Sequence, residues 1–344
     1  MLECRIHGAE DLRFAETSIP EPGDGEVLVR LGAAGICGSD IHYYFHGEIG
    51  PYVIREPLVP GHEASGVVER TGTGVTRVAP GDRLAINPSR PCRNCSYCIS
   101  GRENLCSNML FFGSASVFPH MQGMCREFFL VPEAQCVPVR DEASLEEIAM
   151  SEPLSVALHS VQRAGTLVGR KVLITGAGTI GCLLVLAARH AGASRVMVTD
   201  VVARPLEVAT SVGADETVMM EKGPSGAPAR LEGDFDVAFE ASGVPTALGT
   251  CVESVRRGGV VVQVGTLPAQ GFHLFGNLIM NRELELRGSF RFNQVFDLAV
   301  QCIATRRIDV RPVISGRFSL KDAVQALHLA RDKTVSMKVQ LVSP

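Results

Sequence analysis

Two groups of side chains able to bind a metal stand apart in the first third of this chain. The tighter is Cys92-x2-Cys95-x2-Cys98-x7-Cys106, four thiols whose spacing can close a tetrahedron around zinc. Four thiolates leave no room for a substrate, so a metal there would hold a loop in shape. The neighbouring Pro88, Pro91 and Gly101 suit a knuckled lobe over about residues 88–107, without secondary structure of its own. An iron–sulfur cluster is the competing reading, and it would colour the protein brown. The looser group is Cys37 followed by the pair His62-Glu63. A scattered cysteine, histidine and carboxylate set keeps one coordination position open, which is how a metal does chemistry. The third ligand is Glu63 or Glu152, the latter in Ser151-Glu152-Pro153-Leu154, and the residues alone leave both open. Either choice supplies two anions and one neutral imidazole, offsetting the charge of Zn²⁺.

A third constellation is Gly176-x-Gly178-x-x-Gly181. Among 35 glycines such a pattern is weak by itself. Its setting strengthens it: an apolar strand over 172–175 precedes it, a helix over 179–191 follows, and Asp200 ends the next strand. Gly176, Gly178, Thr179, Ile180 and Gly181 would let the backbone approach a pyrophosphate at a helix N-terminus. Asp200 would accept hydrogen bonds from the adenosine ribose, and its charge repels a 2′-phosphate, favouring NAD over NADP. Arg204 blurs that preference, because it could pair with Asp200, stack on adenine or accept a 2′-phosphate. Backbone groups around Val264 and Gly265, at the end of a later strand, are the candidates to hold the nicotinamide amide.

These groups need elements to position them. Residues 26–31, 64–69 and 81–86 alternate apolar and polar side chains between turns marked by Pro22-Gly23, Pro60-Gly61 and Pro80-Gly81. That is a β-rich domain. At about Glu147 the rhythm changes: 145–165 is helical in pattern, and strands and helices then alternate. Strands are expected at 171–175, 195–200, 235–241 and 259–265, and helices at 204–212 and 246–257. Fully apolar strands alternating with helices imply a parallel sheet covered on both faces. After about residue 283 the pattern reverts to β, with a helix over 320–331 and a last strand over 337–342. The expected division is a β-rich catalytic domain over 1–149, a Rossmann-type cofactor domain over 150–285, and a return to the first domain over 286–344. The apolar run 271–280 reads as an exposed edge that pairs with another subunit.

Composition narrows the partners. The 344 residues exceed one core, 46% are hydrophobic, and the formal charge of −4 gives no footprint for nucleic acid. No run is long and apolar enough to span a membrane, and the start shows no signal-peptide pattern, so a cytoplasmic protein is expected. The other cysteines, Cys4, Cys125, Cys136, Cys182, Cys251 and Cys302, read as small buried hydrophobes.

Together these residues resemble the zinc-containing medium-chain dehydrogenases/reductases, the family of alcohol and sorbitol dehydrogenases. The segments carrying the resemblance are Cys37-Gly38-Ser39-Asp40-Ile41-His42, Gly61-His62-Glu63-Ala64-Ser65-Gly66-Val67-Val68, the four-cysteine lobe and the glycine-rich turn. Residues 37–44, 85–92, 111–120 and 288–292 look most like the polyol branch. The resemblance implies a GroES-like catalytic domain holding an inserted Rossmann domain, two Zn²⁺ per subunit, one catalytic and one structural, and a homotetramer or homodimer. It implies Cys37, His62 and Glu63 as ligands with Glu152 holding the metal's water, whereas elsewhere in the family the position of Glu152 is itself a ligand. Ser39 and His42 match its proton-relay positions, and Arg291 matches a substrate contact. One departure is Met124, where relatives often show a second glycine after Gly123; it bears on the loop beside the substrate. The expected reaction is oxidation of a secondary alcohol in a polyol or sugar acid. A non-catalytic NAD- and zinc-binding protein is the alternative from another class, and loss of a ligand would favour it.

Overall fold

In the computed structural model the alternating segment at 26–31 lengthens to the strand Glu26–Gly35, at the centre of a seven-stranded sheet. Its placement follows from its burial: Val27, Leu28, Val29, Leu31, Ala33 and Ala34 are all inaccessible to water. A strand sealed on both faces must have neighbours on both edges. On one side lie Glu63–Thr71, Arg83–Ile86 and Cys136–Pro138, all antiparallel. On the other, Lys338–Val342 is antiparallel to it and parallel to Ile314–Ser319. Phe128–Pro132 also pairs with the central strand. The core of this unit includes Leu31, Leu58, Ile86, Met124, Phe129 and Leu341. Burying each such side chain contributes roughly 1.5–3 kcal/mol. The description covers residues 1–221, 229–269, 271–272 and 274–343.

The second sheet has six parallel strands in the order Glu216–Met219, Arg195–Asp200, Lys171–Thr175, Phe235–Glu240, Val255–Gln263 and Glu285–Gly288. Its first strand in the chain, Lys171–Thr175, lies in the middle. Later strands add to one side and then to the other, so the order reverses between Lys171–Thr175 and Phe235–Glu240. Ligands of such sheets bind at the carboxyl ends of the strands, at this reversal. Val172, Leu173 and Ile174 are fully buried, as a strand covered on both faces requires.

The chain divides into two compact units, 1–152 with 296–332 and 336–344, and 153–295 with 333–335. The expected return at 286 therefore moves to 296, because Glu285–Gly288 pairs with Val255–Gln263 and completes the parallel sheet. The helix expected over 145–165 is two helices, Leu145–Ala149 and Ser151–Ala164, parted at Met150. The run 271–280, in which His273 lies outside the described residues, is no strand edge. It holds the short helix Gly276–Asn281, and the sheet edge is Glu285–Gly288. Among the described residues no helix is long and apolar enough to cross a membrane.

Candidate functional site

Strand register explains why Cys37 and His62-Glu63 meet despite their spacing. Gly35 pairs with Glu63 across the antiparallel ladder, so the end of one strand lies beside the start of the next. Cys37 follows two residues on as the N-cap of the helix Gly38–His46, and His62 directly precedes Glu63–Thr71. The metal-binding atoms of Cys37, His62 and Glu63 all lie within 4.8 Å of one another. A Cβ on residue 35 would overlap the Glu63 carboxylate, so glycine is needed there for close approach.

Two further residues shape this cluster, and neither belongs to a metal-binding motif in the sequence. Asp40, only 2% exposed, accepts from the backbone N–H of Cys37 at 2.9 Å and of Gly61 at 3.1 Å. Its carboxylate lies 4.0 Å from His62 Nδ1 and acts on the ring by its charge. Its sequence signal was its position at the third residue of a helix after the Cys37 cap. Lys338, the first residue of the last strand, donates to Glu63 Oε1 at 2.7 Å, to Oε2 at 2.6 Å and to the Ile36 carbonyl at 3.0 Å. A lone cation opening an apolar strand was its only signal.

The donor set suits a divalent cation. Burial alone would lower the His62 pKa, but the Cys37 sulfur, by charge and hydrogen bond, then Asp40 and Glu152, raise it to about 10. The cluster thus concentrates negative charge around the imidazole, which favours a cation there. Glu152 is buried at the start of Ser151–Ala164 and stands outside the three converging donors, yet its charge also acts on Lys338. Ser39 and His42 share a face of Gly38–His46, one turn apart. His42 is exposed, and burial of part of its ring together with His46 lowers its pKa. The Phe111 ring packs 5.4 Å from that of His62. Met124, the departure noted in sequence, is fully buried in the β core, and its N–H donates to the Gly61 carbonyl.

The sulfur atoms of Cys92, Cys95, Cys98 and Cys106 also lie within 4.8 Å of one another, with Cys95 to Cys98 at 3.5 Å and Cys92 to Cys106 at 3.4 Å. Backbone N–H groups of Cys98 and Ser107 directed at Cys95 lower its pKa to about 6, whereas burial pushes Cys98 up to about 12. The lobe is less bare than expected, since it carries the helix Ser96–Ile99 and a helical turn Glu103–Leu105. The six scattered cysteines are all buried.

In the second unit the glycine-rich turn follows Lys171–Thr175 and opens the helix Thr179–His190, as expected. Gly176 has φ +95°, and a Cβ there would lie 2.8 Å from the Ser242 nitrogen. Asp200 accepts from Ala177 N at 2.7 Å, Val201 N at 2.7 Å and Val202 N at 3.0 Å, which fixes its carboxylate beside the turn. A cavity of about 160 Å³ opens beside it, lined by Gly176, Asp200, Met220, Ser242 and Thr246 among others. Arg204 does not pair with Asp200; its guanidinium donates to Glu207 at 2.9 Å. The Val264 and Gly265 N–H groups both donate to the Glu240 carbonyl at 2.9 Å, so carbonyl oxygens are what this turn can offer a ligand. Arg291 adopts φ +50° and lies 5.1 Å over the Phe290 ring.

Similarity to known proteins agrees with this geometry. Residues 23–141 match the alcohol dehydrogenase GroES-like domain, and residues 179–305 match the zinc-binding dehydrogenases. The chain is 40% identical over 339 residues to L-idonate 5-dehydrogenase (NAD(P)(+)) of Escherichia coli, covering 98% of each chain. It is 36% identical to sorbitol dehydrogenase of Homo sapiens, covering 99% of this chain and 95% of that one. The crystal structure of the Escherichia coli L-idonate 5-dehydrogenase superposes with a TM-score of 0.93 at 39% identity, covering 99% and 98%. A Sinorhizobium meliloti structure bound to NADP superposes with a TM-score of 0.90 at 32% identity, covering 99% of each.

Proposed function

The chain belongs to the zinc-binding dehydrogenase family and is an oxidoreductase, and from that premise we propose that it oxidises a secondary hydroxyl of a sugar acid or polyol. The preferred substrate is L-idonate, giving 5-keto-D-gluconate. The observation that carries this reading is the convergence of Cys37, His62 and Glu63, in a chain matched nearly end to end by an L-idonate 5-dehydrogenase. When bound, zinc would supply Lewis acidity that makes a hydroxyl easier to deprotonate near neutral pH, and the dinucleotide would supply the two-electron acceptor.

The remaining work falls to the chain's own groups. Cys37 and His62 hold the ion, Asp40 acts on the imidazole by its charge, and Lys338 holds Glu63 in the same buried cluster. We assign Glu63 as the third ligand, because it converges with the other two donors and Glu152 stands outside them. Glu152 then holds a water or substrate oxygen. Ser39 relays a proton, taking the one from the substrate's hydroxyl as it gives up its own, and the exposed His42 one turn on passes a proton to solvent. The tetrathiolate lobe holds a second, structural zinc, so two ions bind per subunit. Arg291 contacts substrate. Asp200 favours NAD, while the outward Arg204 leaves NADP as a slower alternative.

A polyol such as sorbitol or xylitol is the second reading, favoured by the similarity to sorbitol dehydrogenase. A homotetramer or homodimer is proposed from the sheet edge at Glu285–Gly288, where Leu286 is 43% exposed, and from Met280 at 66%. A cytoplasmic location suits eleven cysteines that form no disulfide. The deciding experiment is reduction of NAD⁺ and of NADP⁺ against a panel of aldonates and polyols. Turnover should be fastest with L-idonate and NAD⁺. No turnover with any member would overturn the reading, and faster turnover of sorbitol would move it to the second.

A further inference from the structure

Glu240 ends the strand Phe235–Glu240 on the side where the strand order reverses, and it is fully buried. The partners described for its carboxylate are all neutral. Oε1 accepts from Ser242 N at 2.7 Å, Ser242 Oγ at 2.5 Å and Gly243 N at 2.9 Å. Oε2 accepts from Gln263 Nε2 at 2.8 Å. The direction of these bonds is fixed by their surroundings. Ser242 Oγ itself accepts from Val244 N at 3.2 Å, so its proton points at Glu240. Gln263 Nε2 also donates to the Gly265 carbonyl at 2.5 Å, so its amino face is turned towards both acceptors. Four donors converge on two oxygens, so every hydrogen bond described for this side chain is one that it accepts.

A buried charge without a counterion is costly unless something it faces benefits from it. The groups Glu240 holds are those of the reversal crevice. Ser242 lies against Gly176 of the glycine-rich turn, and a Cβ on residue 265 would overlap both Gly243 and the Glu240 carboxylate. Asp200 ends the strand on the other side of Lys171–Thr175 and takes the adenosine half. The second half of a dinucleotide spanning the crevice then falls on the Glu240 side. Its nicotinamide ring carries a positive charge when oxidised and none when reduced.

We propose that Glu240 is a positioning residue whose buried negative charge makes the site prefer the oxidised, cationic nicotinamide over the reduced one. The proposal rests on the dinucleotide reading above. It is tested by measuring the dissociation constants of NAD⁺ and NADH on the zinc-replete protein by calorimetry. Glu240→Gln should raise the ratio Kd(NAD⁺)/Kd(NADH) roughly tenfold, as expected for one charge acting at short range through a poorly polarisable interior. Ser242→Ala removes a neutral donor to the same oxygen and should leave the ratio within about twofold of wild type. If Glu240→Gln does not fold, Gln263→Lys, which neutralises the carboxylate in place, should raise the same ratio. Equal changes in both affinities, or a Ser242→Ala shift as large as that of Glu240→Gln, would show that loop geometry matters and charge does not. Wild-type protein that bound neither cofactor would overturn the dinucleotide reading and this proposal with it.

Discussion

Cys37 and Lys338 act on the same buried cluster from opposite directions, and their replacement separates chemistry from stability. Cys37→Ser should lower dehydrogenase activity by about a thousandfold or more, because Lewis acidity worth several kcal/mol of transition-state stabilisation is lost. Metal analysis should then find about one zinc per chain in place of two. Normal turnover at full zinc content would refute the assignment. Lys338→Met leaves the Glu63 carboxylate buried without its cation, and breaking such a pair costs about 3–5 kcal/mol. Urea unfolding should register that loss in the zinc-depleted protein, with zinc restoring part of it. Glu63 and Glu152 are distinguished by zinc content as well: Glu63→Gln should weaken zinc binding about 10–100-fold, whereas Glu152→Gln should lower turnover at nearly full occupancy.

At the scale of elements, Asp236 ties together the entrances of three parallel strands. It accepts from Lys171 N at 2.9 Å, Arg170 at 2.9 Å and Arg256 at 2.8 Å. Burial would raise its pKa, but the Lys171 N–H and the guanidinium groups of Arg256 and Arg170 outweigh it and lower the value. A carboxyl lowered in the folded state stabilises the fold above its ordinary value of 3.8, and that contribution is lost as pH falls through the folded value. Asp236→Asn should therefore cost about 1–3 kcal/mol at neutral pH. The variant should also lose less stability than wild type as the solution is brought below pH 3.8, a difference that denaturant titration at several pH values can measure. The tetrathiolate lobe makes the complementary case. Its helices are a few residues long and bury little, so Cys95→Ser or chelation should raise hydrogen exchange across residues 92–108. Equal loss of zinc at Cys37 after Cys95→Ser would mean that the two sites are one system.

For the whole molecule the testable quantity is assembly. The strand Glu285–Gly288 lies at a sheet edge beside exposed apolar side chains, so light scattering should return a dimer or tetramer mass. Leu286→Lys should shift the equilibrium towards smaller species, as charges on an edge strand do. A monomer at micromolar concentration in the unaltered protein would remove that proposal while leaving the chemistry in place.

Local chemistry was legible in the residues themselves. The four-thiol spacing, the strand, glycine turn and helix around Gly176, and Asp200 at the next strand's end all depend on neighbours in sequence, and all stand where the pattern put them. What depended on distant pairing was not legible. The strand Glu285–Gly288 reads as a change of domain but completes the parallel sheet, because only its partner Val255–Gln263 decides which sheet it joins. Asp40, Lys338 and Glu240 look like ordinary polar residues until burial removes water and makes each one's partners obligatory. The sequence determined which groups could bind zinc and a dinucleotide. Tertiary structure decided which carboxylate converges with Cys37 and His62, since the Gly35–Glu63 register and the Lys338 cation exist only once three strands from opposite ends of the chain lie side by side.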